Sequence, residues 1–299
     1  MNLKCFYILV FFYLPSQYSL ANSPQVPDYL IYQNDTIPTY NLLVEQYLQK
    51  IKGDNGKLFN MNFRNSIDGR LGGSLNCWRG YQAIYEIEND SLFVNNIIEC
   101  HSLAGTVKDK PKSYLSEIFG EKVKNERVFL DWFTGKISFP TVRDDNLILR
   151  WDGVFEKIYH YEMVIDIDQG KIIELNDEEN YIDLENGINR LKKDTISTIL
   201  FEQLRNSRLK KNNKFDCSDE YLITILEDGK VGEIRMAWTD QQIKEFFTKR
   251  EYNYCISLLT KSLSKLQFDI IKRKGEPLQE TILLEIWLND DGSIENWTN

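Results

Sequence analysis

Residues 6–14 read FYILVFFYL, nine apolar positions in succession. As a helix they cover roughly 14 Å, about half of a bilayer core near 30 Å. Lys4 precedes the run, Pro15 breaks it, and Ser19-Leu20-Ala21 puts small residues where a signal peptidase cuts. That order is the pattern of a secretory leader, so residues 1–21 are expected to be a cleaved signal peptide. No later stretch reaches membrane-spanning length, and the mature chain is expected to be soluble, with no transmembrane segment.

After a polar lead-in at 22–27, Leu43, Tyr47, Leu48 and Ile51 recur at helical spacing. A β-rich region is expected from about 59 to 175. Residues 78–88 alternate around Tyr81, Ala83, Tyr85 and Ile87; Asn89-Asp90 is a turn pair, and 92–98 returns. A second hairpin turns at Asp168-Gln169-Gly170-Lys171, and 147–151 is a short strand. The charged stretch 108–124 reads as a solvated loop with one short helix at 113–119. The acidic run 176–180 (NDEEN) reads as a turn and a domain boundary. Asp194 can cap a helix at 195–209 whose apolar face is Ile196, Ile199, Leu200 and Leu204; KKNNK at 210–214 then reads as a linker.

The last segment alternates at 221–226, turns at Glu227-Asp228-Gly229-Lys230 and returns at 231–238. Thr239 or Asp240 can cap a short helix, and a second helix is expected at 253–266. KRKGEP at 272–277 reads as a solvated basic turn, followed by strands at 281–288 and 294–297. The predicted fold class is α+β. A β-rich domain at 22–190 is followed by a helix and linker at 191–214 and a small ββαβ domain at 215–299.

Export makes the cysteines informative. Cys5 lies in the leader, leaving Cys77, Cys100, Cys217 and Cys255, which allow three pairings. The first hairpin folds Cys77 back toward Cys100, and the other two share the C-terminal segment. Disulfides 77–100 and 217–255 are therefore expected, with four buried thiols as the alternative. Zinc is not expected, because the chain has no CxxC and its two His are His101 and His160. Against 36 basic residues stand 45 acidic ones, a net charge of −9. Such a chain offers phosphate no broad basic surface, so nucleic acid is not an expected partner.

The C-terminal residues resemble a known domain. YLITILEDGKVGEIR at 221–235, LSKLQF at 263–268, KRKGEP at 272–277 and TILLEIW at 281–287 follow the order seen in the C-terminal domain of TonB and its relatives. The resemblance implies a small antiparallel sheet on one or two helices. It also implies a sheet edge that captures a partner's strand, for which Thr281, Leu283, Glu285 and Trp287 are the candidate contacts. Energy transduction is not carried over. The chain lacks an uncleaved membrane helix and a Pro-rich spacer, and Asp269-Ile270 stands where Pro-Ala often follows the helix-terminal Phe. In the N-terminal half, DYLIYQNDT at 28–36, CWRGYQAIYEI at 77–87 and DWFTG at 131–135 resemble exported bacterial proteins of unknown function.

Catalytic patterns are sparse. There is no phosphate loop and no Gly-x-Ser-x-Gly elbow, and Ser74 in LGGS has only His101 and His160 as conceivable bases. Asp131-Trp132 and Trp151-Asp152 set acids beside Trp, as glycoside chemistry uses, but 45 acids and 6 Trp make such neighbours by chance. Trp78, Tyr81 and Trp132 are a candidate aromatic platform for a glycan. Arg79, inside a predicted strand, is expected to be an outward-facing charge, with a ligand contact as the alternative. The reading is a non-catalytic exported protein of the periplasm or cell envelope that binds an envelope protein and needs no cofactor. Glycan binding or cleavage by the β-rich domain is the alternative.

Overall fold

The computed structural model describes residues 24–52, 76–77, 79–100, 113–206, 215–289 and 291–298. The expected leader, Ser74, Trp78, His101 and the KKNNK linker lie outside the described residues.

The N-terminal half is built from hairpins whose turns the sequence marks. Strands β1 (Asp28–Tyr32) and β2 (Asp35–Thr39) join through Gln33 and Asn34, both left-handed. Helix α1 (Leu43–Lys52) follows. Strands β3 (Tyr81–Glu88) and β4 (Ser91–Glu99) meet at Asn89-Asp90, with φ of 49° and 53°. That geometry matches the twist of the flanking strands. Next come α2 (Leu115–Phe119), β5 (Val128–Phe129), β6 (Gly135–Pro140), β7 (Ile148–Trp151) and β8 (Lys157–Tyr159). Strands β9 (Tyr161–Asp168), β10 (Lys171–Glu179) and β11 (Tyr181–Ile182) close this half.

The main sheet runs β2-β1-β3-β4-β10-β9-β6, with β5 attached to β4. Only the β1–β3 pair is parallel within it. Alternate residues Tyr81, Ala83 and Tyr85 of β3 are buried with Leu92, Val94, Ile137, Ile165 and Ile167 from neighbouring strands. Leu43, Val44, Tyr47 and Leu48 of α1 complete that core, so the period-2 and helical patterns share one interior. Residues 176–179 do not form the expected turn. They continue β10 and pair with 161–164, and exposure of most of β10 lets its acidic side chains stay hydrated.

Helix α3 (Asp194–Asn206) leads to β12 (Asp219–Ile225) and β13 (Val231–Met236). Helix α4 (Asp240–Phe246) starts at a Thr239–Gln242 capping box. Helix α5 (Lys249–Leu263) starts four residues before the expected 253, because the Thr248 hydroxyl accepts the Glu251 N–H and caps it. Then follow β14 (Ile270–Arg273), β15 (Glu276–Pro277), β16 (Glu280–Leu288) and β17 (Ile294–Asn296).

The second sheet is antiparallel, in order β13-β12-β16-β17. Its inner face carries Tyr221, Ile223, Ile225, Ile282, Leu284 and Ile286. Ile196, Leu200 and Leu204 of α3 and Leu259 and Leu263 of α5 cover that face. Gly229 in the β12–β13 turn has φ +82°, and a Cβ there would sit 2.0 Å from the Phe268 carbonyl oxygen. Only Gly admits this approach, in which the Gly229 carbonyl accepts the Phe268 N–H. Disulfides join Cys77 to Cys100 and Cys217 to Cys255.

The predicted ββαβ order is incomplete: two helices and an extra hairpin separate β13 from β16. That hairpin, β14–β15, leaves the C-terminal sheet and pairs with β11 of the N-terminal half. Its basic residues are not a solvated turn. Lys272 bonds Glu178 at 2.6 Å, Arg273 bonds Glu156 at 2.6 Å, and Lys136 reaches back to Glu276 at 3.0 Å.

Candidate functional site on the C-terminal sheet

Strand β16 carries the four residues expected to contact a partner. Its side chains alternate cleanly. Glu280, Ile282, Leu284 and Ile286 are buried, while Thr281, Leu283 and Trp287 are exposed and Glu285 is half-buried. Those four therefore share the outer face of the sheet. The strand is not the outermost member, because β17 pairs with its end at 286–288. Backbone parity locates what remains open. Glu285 accepts the Trp297 N–H and donates its own N–H to Thr298 Oγ1, so odd-numbered residues aim their amides away from β12. Thr281 and Leu283 aim the same way, to a side where no strand follows among the described residues.

The outer face has a definite composition. Leu283 faces Leu222 across β12, and Glu285 faces Glu220. Trp287 and Trp297 stack with ring centroids 5.3 Å apart and planes at 21°, and both are nearly half exposed, at 45% and 49%. Glu295 faces Trp287 across β17 and accepts a hydrogen bond from Trp297 Nε1 at 3.2 Å. Bonds from Asn289 and Trp297 hold the Glu295 carboxyl below the usual range, so it stays ionised beside the indoles.

Two residues of the glycan alternative pack among other side chains. Tyr81 is 2% exposed and donates its hydroxyl proton to Glu45 inside the core. Trp132 packs on Tyr47 and Phe119 at 4.5 and 5.5 Å. Trp78 lies outside the described residues. The acids beside Trp are engaged locally: Asp131 pairs with Lys122, and Asp152 accepts the N–H groups of Val154 and Phe155 in a turn. His160 stacks on Tyr161 at 4.1 Å and its Nε2 lies 3.2 Å from Glu179.

Buried charge was the feature sequence reasoning missed. Arg79 is 1% exposed rather than outward-facing, because Asp28 waits inside to pair with it at 2.7 Å. Glu280 binds Arg150 at 2.7 Å and Arg190 at 3.2 Å, linking the two halves of the chain. Burial pushes the Glu280 carboxyl up, but Arg150, then Arg190 and Lys193, overcome it and hold it below the usual range. Tyr40, Asn41, Ser138, Tyr159, Glu162 and Lys274 line a cleft of about 20 Å³. That is room for a water molecule rather than an organic substrate. Burial pushes Glu162 up to about 7, against hydrogen bonds from Asn180, the Tyr159 amide and Ser138. Burial also pushes the Lys274 ammonium down. No sequence signal marks these groups, since each partner lies far along the chain.

Among the described residues, no group of three or more His, Cys, Asp and Glu is arranged to hold a metal, and no helix is long and apolar enough to cross a membrane. No family model, curated protein or solved structure matches the chain.

Proposed function

We propose that this chain is an exported, non-catalytic docking protein of the periplasm or cell envelope, whose TonB-like C-terminal half takes an extended segment of an envelope protein along β16. The observation that carries this reading is the open backbone of Thr281 and Leu283, bordered by exposed Leu283 and Trp287. Unpaired amides and carbonyls on a strand are a template for another strand, and side chains on alternate positions then supply specificity. The edge strand at the opposite side of this sheet, β13, is less suited. It carries exposed Glu233 and Arg235, and charges on an edge discourage pairing. The two disulfides support export, since such bonds persist in oxidising compartments.

Crosslinking and co-purification from native envelopes test the reading. Leu283→Pro removes an amide that faces the open side and leaves the ladder to β12 intact. The intact chain is expected to capture a specific protein. Leu283→Pro and a chain ending at Asn213 are expected to lose it, with the circular dichroism of Leu283→Pro unchanged. A partner retained by both variants would overturn the reading.

A further inference from the structure

The outer face carries features that folding alone does not call for. Glu220 and Glu285 lie directly opposite each other on adjacent strands, and like charges so placed destabilise a sheet. Neither carboxylate has an ion-pair partner among the described residues. Glu285 also neighbours Trp297 across the strand end, and Glu295 neighbours Trp287. Glu285 and Glu295 thus neighbour two stacked indoles whose outer surfaces meet solvent, and Glu220 lies opposite Glu285 on the next strand. Both rings keep nearly half of their surface in solvent. The nearest basic side chain on this face by register is Arg235, opposite Leu222 and two strands from the Trp pair.

Such a face fits one kind of chemistry. A guanidinium or ammonium over a Trp face gains from the ring quadrupole, and neighbouring carboxylates add charge-assisted hydrogen bonds. The chain's net charge of −9 works in the same direction by drawing a basic segment toward it. We propose that the β16–β17 end of the outer face selects a basic extended segment of the partner, laying an arginine or lysine over the Trp287–Trp297 stack against Glu220, Glu285 and Glu295. This inference rests on the strand-docking reading. The backbone edge at 281 and 283 sets direction and register, and the acidic aromatic face chooses which strand is accepted.

A fluorescein-labelled Thr-Arg alternating octapeptide, read by anisotropy on the full disulfide-bonded protein, tests this. Two controls share its backbone: Thr-citrulline, which keeps the shape without the charge, and Thr-Glu. The arginine peptide is expected to bind about tenfold or more tighter than the citrulline peptide, a difference of about 1.4 kcal/mol. The preference should shrink as salt is raised. The double variant Glu220→Gln/Glu285→Gln is expected to erase it, and Trp287→Ala/Trp297→Ala to weaken the arginine peptide about tenfold. All four positions are exposed or half-buried, so the variants leave the core intact.

Equal binding of arginine and citrulline peptides, with both weakened by Leu283→Pro, would overturn charge selection and leave strand docking standing. Arginine binding unchanged in both double variants would place the basic site elsewhere and overturn the inference. No binding of any peptide would overturn it too, while co-purification judges the docking reading separately.

Discussion

At the residue scale, buried ion pairs hold the two halves together, and their strength is testable one side chain at a time. Glu280 is the shared anion of Arg150 and Arg190, and Arg190 is fully buried. Removing one partner of such a group leaves charge inside without compensation, at about 3–5 kcal/mol. Glu280→Gln is expected to lower the unfolding free energy by about 3 kcal/mol in denaturant titration, with an unchanged slope. Glu162 behaves in the opposite sense. Its carboxyl titrates near 7 in the folded chain against an ordinary value of 4.5. Between those values the folded state holds more protons than the unfolded one, so stability falls as pH rises from 4.5 to 7. The fall amounts to about 3 kcal/mol, and Glu162→Gln should flatten it and be the more stable protein at pH 8. Equal pH profiles for the two proteins would show that Glu162 titrates normally. None of these pairings is legible along the chain. Arg79 and Asp28 are 51 positions apart, and an arginine in a strand reads as surface until its partner is known.

Local elements were far more legible, because each is specified by neighbours. Asn89-Asp90, Gln169-Gly170 and Asp228-Gly229 mark turns that each join two strands, and all of these residues except Asp228 adopt left-handed φ. The apolar spacing of Ile196, Leu200 and Leu204 marks α3, which turns these residues inward. Errors arose where a local rule met a tertiary partner. NDEEN carries turn-prone residues, yet β9 supplies a complementary edge and extends the hairpin through it. KRKGEP reads as solvated, yet Glu178 and Glu156 draw it onto the N-terminal half. The Cys217–Cys255 bond ties the lead into β12 to the middle of α5 across 38 positions. Closing a loop of that size constrains the unfolded chain by roughly 3–4 kcal/mol. Cys217→Ser/Cys255→Ser is expected to lose about that much stability, and a loss below about 1 kcal/mol would mean the bond adds nothing to this core.

For the whole molecule, the broad α+β character followed from composition and periodicity, while the arrangement of sheets did not. β11 pairs with β14 across the expected domain boundary, and β17 docks beside β16 at 286–288. The first pairing is set by the closure of a long loop, which periodicity does not encode, whereas the second is a local hairpin between strands that the pattern marks. The three-residue length of β17 leaves β16 half covered, and docking at β16 depends on that half being open. Amide hydrogen exchange in the free protein, resolved residue by residue along β16, tests it most directly. Amides without a hydrogen-bond acceptor exchange quickly, and those in a ladder wait for the sheet to open. The account predicts fast exchange at Thr281 and Leu283 and strong protection at Ile282 and Leu284, which face β12. Uniform protection of all four would mean that the edge is already occupied, and would contradict docking at β16.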